Sequence, residues 1–477
     1  MMRPFLTFVL LFCLAVAAPA ADLPDLGEVG AEDFSPAQER QIGEEIMREL
    51  RRHPAWLDDP LVEEYINQLG RRLAAASADP SRGFEFFVVR DAMLNAFALP
   101  GGHIGVHSAL ILAARSESEL AGVLGHEIGH VTQRHIAQLV GKQKRLGMMM
   151  LATLLAALAA NDARVGEAAL AAGTAGAMQA QLAYTRDFER EADRAGLQTL
   201  EAAGFDVRGM AGFFERLQRA SRLYENNAPA YLRTHPLTTE RIADMENRVM
   251  SMPYRQVPDS ADFRYVQARL RALSLSAADA ARTFAGLVAA DPDDMASRYG
   301  LALSQLRLGR LDDAARSLED LRRAAGPSPF IAILDGDVAA ARHDYDGAIK
   351  TLAAARRKFP ASMSVVYALF DAQIAGGRAG DAAQGVRRAL VGHGNDIRLW
   401  QLSSRANATL GRRTTQHRAQ AEVYALQGAY RAAVEQLELA RKAGDGDFYE
   451  LSAVDARLRE IRDRMVDDKK RARESGR

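Results

Sequence analysis

The run His126-Glu127-Ile128-Gly129-His130 sets two histidines four residues apart around a glutamate. On a helix, residues four apart share a face, so both imidazoles can offer a nitrogen to one tetrahedral zinc, while Glu127 can hold a water at the metal. The chemistry open to such a set is hydrolysis by a metal-activated water. The chain has ten histidines among 477 residues, and a chance His-Glu-x-x-His is expected on the order of once in a hundred such chains. The plain alternative is a solvated helix carrying two unrelated histidines.

Two imidazoles leave a hydrolytic site incomplete. Six residues after His130 stands Ile136, not a third histidine, and His135, five residues on, is turned well away on a continuing helix. His135 therefore reads as an ordinary surface histidine, as do His53, His103, His107, His343, His393 and His417 as surface or loop residues. The third ligand must come from a separate segment. The stretch Arg186-Asp187-Phe188-Glu189-Arg190-Glu191-Ala192-Asp193 offers it, with Glu189 lying 59 residues after His130. Glu189 and Asp193 share a helix face, so Glu189 could bind zinc while Asp193 accepts the free ring N–H of a ligand histidine. Read without the motif, the same stretch is a charged helix face.

These residues need rigid elements to hold them. Ser116-Glu117-Ser118-Glu119 has capping-box spacing and precedes the periodic apolar positions Leu120, Leu124, Ile128 and Val131, which starts a helix through the motif. Phe84 to Val89 and Ile104-Gly105-Val106 are strand candidates, with Pro100-Gly101-Gly102 as the turn signal between them. A small sheet is expected ahead of the motif helix. Leu146 to Ala160 is an apolar run of fifteen residues, cut by Asn161-Asp162. It is shorter than the ~20 residues that cross a bilayer, so a helical hairpin beside the site, or peripheral contact with a membrane surface, is expected instead of a span.

The formal net charge is zero, charged residues of both signs are interspersed and aromatics make up 7% of the chain. That balance excludes a nucleic-acid footprint and favours helices. Arg3, the apolar stretch Phe5 to Ala18 and the small residues Ala18-Pro19-Ala20 form an export signal cleaved near Ala20. The single cysteine, Cys13, lies within it, so the mature chain needs neither disulfides nor a thiol nucleophile and any metal site must use His, Asp and Glu.

The C-terminal half repeats. Tyr265, Tyr299, Ile333 and Tyr367 are spaced by 34, as are Ala280, Ala314, Ala348 and Ala382, and Phe284, Leu318, Leu352 and Val386. Pro292, Gly326, Pro360 and Gly394 mark the turns in the same register. A 34-residue helix-turn-helix with a small residue opening the second helix resembles the tetratricopeptide repeat. Beyond 397 the register slips: Tyr430 to Leu437 matches the second-helix pattern 51 residues after its predecessor, which an inserted helix near 415–426 would explain. The expected organisation is a signal peptide at 1–20, a flexible leader at 21–35, a metallopeptidase domain at 36–260, a repeat domain at 261–463 and a charged tail at 464–477. The fold class is mainly α: a zincin-type α+β domain with a small sheet, followed by an α-helical tetratricopeptide repeat solenoid.

Leu124 to His130, Glu189 to Asp193 and Asn95-Ala96-Phe97-Ala98-Leu99-Pro100-Gly101-Gly102 together resemble the gluzincin peptidases that include the heat-shock protease HtpX and the CAAX prenyl proteases. With the export signal and the repeats, the chain is similar along nearly its whole length to the periplasmic β-barrel assembly-enhancing proteases. That resemblance implies one zinc on His126, His130 and Glu189, general base Glu127 and orienting carboxylate Asp193, with Glu191 at a variable position. It implies that His235, in Thr234-His235-Pro236-Leu237, can take a fourth zinc position and hold the enzyme inactive. It leaves Arg241 either a substrate or oxyanion contact or a structural ion pair. The implied activity is zinc endopeptidase hydrolysis in the periplasm. Unfolded or misassembled proteins are the implied substrates, and outer-membrane β-barrel precursors and their assembly machinery the partners. The rival from another class is a chaperone or assembly scaffold working through the repeats, with a latent zinc site.

Overall fold

Glu85–Val89 (β1), Ala96–Leu99 (β2) and His103–His107 (β3) form a three-stranded sheet in the order β1-β3-β2. β1 runs parallel to β3, and β2 pairs antiparallel to it. These strands belong to a computed structural model of the protein that describes residues 34–142, 186–222 and 230–474. The export signal, nearly all of the leader and the apolar run at 146–160 lie outside the described residues. Among the described residues, no helix is long and apolar enough to cross a membrane.

The sheet differs from expectation in one respect that matters for the site. Pro100-Gly101-Gly102 joins β2 to β3, not β1 to β3, and Gly101 and Gly102 supply the positive φ of 84° and 87° that the tight connection requires. The strand around Ile104 is therefore the centre of the sheet, and β2 is an edge. β2 was hidden because it is only four residues long and apolar at every position, without the alternation that marks a half-buried strand.

Ser35 and Gln38 close a reciprocal capping box on α1 (Pro36–Leu50), and Asp59 caps α2 (Pro60–Ala75), whose first residue is the proline that helix starts favour. After α3 (Ser108–Ala113) comes the motif helix α4 (Glu117–Thr132), buried from Glu117 to Val131. Ser116 caps α4 through its hydroxyl, which accepts from the Glu119 amide at 3.3 Å. The expected box is only half made. The Glu119 carboxylate instead pairs with Arg216 and accepts from the Arg115 amide at 2.6 Å. The helices that follow are α5 (His135–Lys142), α6 (Arg186–Ala202), α7 (Arg208–Arg222), α8 (Ala230–Thr234) and α9 (Thr239–Ser251).

From Ala261–Ser274 to Phe448–Glu474 the chain is a run of helix pairs. Phe263, Ser297, Ile331, Val365, Leu399 and Ala433 recur every 34 residues and all are buried. The register therefore does not slip. Arg413–Leu426 is the regular second helix of the fifth pair, and Tyr430–Lys442 is the first helix of a sixth. The inserted-helix reading failed because Gln416 and Gln420 stand where the pattern of Ala382 and Val386 asks for small and apolar residues. The last helix also runs on to Glu474, past the expected start of the tail.

One apolar cluster extends from Leu57 to Ala406 and joins the sheet and α4 to the first helix pairs. Ion pairs and hydrogen bonds lock the seam. Arg269 pairs with Asp59 at 2.8 Å, and the Glu64 carboxylate accepts from the Ser362 and Ser364 hydroxyls and the Ser364 amide at 2.7–3.1 Å.

Candidate metal centre

Helix α4 carries His126 and His130 one turn apart, and their Nε2 atoms face each other at 3.0 Å. Helix α6 lies against this face unusually closely. A Cβ on Gly129 would come within 2.9 Å of the Ala192 carbonyl oxygen, and one on Gly196 within 2.9 Å of the His126 backbone nitrogen. Glycines on both helices thus let the backbones approach until short carboxylates on α6 reach imidazoles on α4. Glu189 oxygens sit 3.5 Å from the Nε2 atoms of His126 and His130, and Asp193 Oδ1 sits 3.0 Å from His126 Nδ1.

A third segment closes the cluster. The His235 amide donates to Tyr231 of α8 at 2.8 Å, and the His235 ring stacks on the Tyr231 ring with centroids 4.6 Å apart. His235 Nδ1 then lies 3.0 Å from Glu189 Oε1 and 3.4 Å from His126 Nε2, and its Nε2 lies 3.6 Å from Glu127 Oε1. His126, His130, Glu189 and His235 each offer a ligand atom, all four within 4.8 Å of one another and all buried. Glu127 is fully buried, with the Ala98 backbone and the His235 ring against its carboxylate. A fully buried carboxylate beside such a donor set is stabilised by a cation or water that meets it. Three imidazoles and a carboxylate also suit a divalent metal of borderline softness, so the residues fit the group.

The electrostatics agree. Burial opposes charge on His126, yet hydrogen bonds to Asp193 and Glu189 lift it to about 9. Burial pushes His130 well below the usual histidine range, with Glu189 opposing. Burial would raise Glu189, but His235 and the bonded His126 hold it well below the usual carboxylate range. Burial raises Glu127. The two motif histidines are thus driven in opposite directions, His126 toward and His130 away from a positive charge, while Glu189 stays ionised, a negative charge that a divalent cation would meet.

Arg241 is 2% exposed and turned inward. It holds Asp193 through two bonds at 2.7 and 2.8 Å, reaches Glu189 at 2.7 Å and donates to the Pro236 carbonyl at 2.8 Å. Of the two roles left open for it, this geometry supports the structural ion pair. Arg241 fixes both carboxylates and, through Pro236, the loop that carries His235.

His135 departs most from expectation. It is fully buried, its Nδ1 is 2.9 Å from His130 Nδ1, and its Nε2 is 3.1 Å from Glu191. The expected rotation away from His130 assumed an unbroken helix. Helix α4 instead stops at Thr132, and Arg134 takes φ of 54°, a left-handed turn that brings the chain back. No glycine marks that turn, so nothing in the sequence announced it. Of the other histidines, His107 is also buried, with Nδ1 at 3.1 Å from the Met93 carbonyl, and His103 is part-buried against Glu85.

Comparison with known proteins gives this centre its class. The profile of Peptidase family M48 matches residues 60–249, which includes every residue of the cluster. The chain is 33% identical to the β-barrel assembly-enhancing protease of Escherichia coli (strain K12), covering 94% of this chain and 93% of the relative. It is 33% identical to the protein of that name from Yersinia pestis, covering 93% and 92%. It is 31% identical to the mitochondrial metalloendopeptidase OMA1 of Arabidopsis thaliana over 42% of this chain and 39% of the relative. The chain is a metallopeptidase of family M48 and belongs, within it, to the β-barrel assembly-enhancing proteases.

Proposed function

We propose that the chain is a zinc endopeptidase in which His126, His130 and Glu189 hold one zinc ion and Glu127 is the general base. Zinc bound there supplies a Lewis acid that acidifies water and polarises a peptide carbonyl. Glu127 takes the proton of the attacking water and returns it to the leaving amide nitrogen. Burial raises the Glu127 carboxyl and so brings its proton affinity toward the working range. Asp193 fixes the His126 tautomer through Nδ1, leaving Nε2 free for the metal. Arg241 positions Asp193 and Glu189. The edge strand β2 offers the extended backbone along which a substrate segment can pair. Support for this reading comes most directly from the fully buried Glu127 carboxylate beside four convergent ligand atoms.

In this reading His235 is a fourth ligand that holds the resting enzyme closed, because its Nε2 stands against Glu127 where the attacking water must lie. The 261–463 segment is a tetratricopeptide repeat domain that binds protein clients, and residues 1–20 direct export to the periplasm. The names of the similar proteins point to β-barrel assembly, so the clients proposed are unfolded or stalled outer-membrane β-barrel precursors and their assembly machinery. A second reading, a scaffold with a latent site, draws on the same closed position of His235.

Chelation should abolish cleavage of an unfolded protein, and one equivalent of zinc should restore it. Glu189→Ala should lose far more zinc than Glu191→Ala, and the reverse order would move the third ligand. His235→Ala should raise the cleavage rate at unchanged zinc content. An unchanged or lower rate would remove the closed-state assignment.

A further inference from the structure

We propose that His135 is a positioning residue for His130, joining it through a buried imidazole pair to Glu191 at the surface. The proposal rests on the reading that His130 is a metal ligand. His130 Nε2 faces His126 Nε2 at 3.0 Å and Glu189 at 3.5 Å, so its other nitrogen, Nδ1, carries the proton. That N–H points at His135 Nδ1, 2.9 Å away. His135 must then accept at Nδ1 and be protonated at Nε2, which donates to Glu191 at 3.1 Å. Glu191 is 42% exposed. The two histidines of the motif are thus oriented differently: His126 by a buried carboxylate, Asp193, and His130 by a neutral ring with a solvated carboxylate behind it.

Two further observations indicate that the placement is specific. The His135 ring stacks face to face on Phe188, with centroids 4.4 Å apart and planes 12° from parallel, and Phe188 is the residue before Glu189. One ring is thus held against His130 and against the start of the ligand-bearing helix. The turn that delivers His135 also carries backbone strain, because Arg134 is a non-glycine residue at φ 54°. Its guanidinium is tied to the Glu39 carboxylate at 3.0 Å and the Phe34 carbonyl at 2.9 Å. A chain that needed only to end α4 could have used glycine. Here a strained residue is pinned on one side and presents His135 to His130 on the other.

The test uses the full-length protein. In zinc-loaded wild type, long-range proton–nitrogen NMR of the imidazoles should show His135 as the Nε2–H tautomer and His130 protonated at Nδ1. An Nδ1–H tautomer at His135 would overturn the proposal without any mutation. In parallel, zinc affinity is measured by competition with a chromophoric chelator. His135→Phe preserves the stacking but removes the acceptor at His135 Nδ1 that faces His130, and should weaken zinc binding by roughly 10–100-fold. His135→Asn returns an acceptor oxygen near the Nδ1 position and should recover much of that loss, which a purely packing role would not predict. Zinc affinity of His135→Phe within threefold of wild type would overturn the proposal, and so would no recovery in His135→Asn. Glu189→Ala serves as the control. If it too keeps its zinc, the ligand assignment fails and not the relay.

Discussion

Replacing Gly129 with alanine tests whether close helix packing, and not only ligand identity, makes the centre. The added Cβ would lie 2.9 Å from the Ala192 carbonyl oxygen and 3.0 Å from its Cα, whereas ordinary contact begins at 3.4 Å. Both obstructing atoms are backbone, so no side chain can swing aside, and α6 must retreat from α4 by roughly 0.5 Å. Overpacking of this kind costs ~1–3 kcal/mol, while alanine returns up to ~1 kcal/mol of helix propensity. The net loss of stability should be about 1 kcal/mol. The retreat exceeds the ~0.2 Å within which metal–ligand distances are held, and Glu189 moves with α6. Zinc affinity should therefore fall at least about tenfold, or ~1.4 kcal/mol. Chelator competition measures the second effect and urea unfolding the first. Gly212→Ala, on α7, is the control because a Cβ there meets nothing within 4 Å. Native zinc affinity in Gly129→Ala, together with unaltered stability, would refute the packing argument.

Two other perturbations probe ion pairs, one at the centre and one on the sheet. Arg241→Met leaves Asp193 and Glu189 buried without their cation and should destabilise the protein by ~3–5 kcal/mol, more after chelation than with zinc bound; a loss below 1 kcal/mol in calorimetry would deny Arg241 its anchoring role. Burial would raise Glu85, but its bonds to His103 and Arg51 depress it to about 2. Its contribution is therefore present above pH ~4.5 and lost as pH falls through about 2. Because Glu85 is 36% exposed, Glu85→Gln should cost only roughly 1 kcal/mol at pH 7. Urea midpoints of the two proteins should converge between pH 5 and pH 2, and a constant gap would contradict the assignment.

The clustering of these side chains was legible because they follow rules that one sequence can carry: helix spacing for His126 and His130, and a shared helix face for Glu189 and Asp193. The fold that brings α6 to α4 was less visible. Gly125, Gly129, Ala192 and Gly196 act by having little or no side chain, and a small residue in a helix has several meanings until its partner is known. β2 escaped because a four-residue strand that is apolar at every position has no alternation. His135 escaped because its position depends on the left-handed turn at Arg134, which is held by Glu39 from α1, a contact 95 residues distant in the chain. The repeat register was legible through four units and then misread. Its fifth pair keeps the geometry while replacing the small and apolar signature residues with glutamines.

If this buried cluster is a working peptidase centre, Glu127 is its base. Glu127→Gln, purified with its zinc, tests it most directly by cleavage of an unfolded protein substrate. The variant should hold one zinc ion per chain, as in wild type, with the rate down by at least about 100-fold. A Glu127→Gln protein that retained zinc and cleaved at nearly the wild-type rate would contradict it.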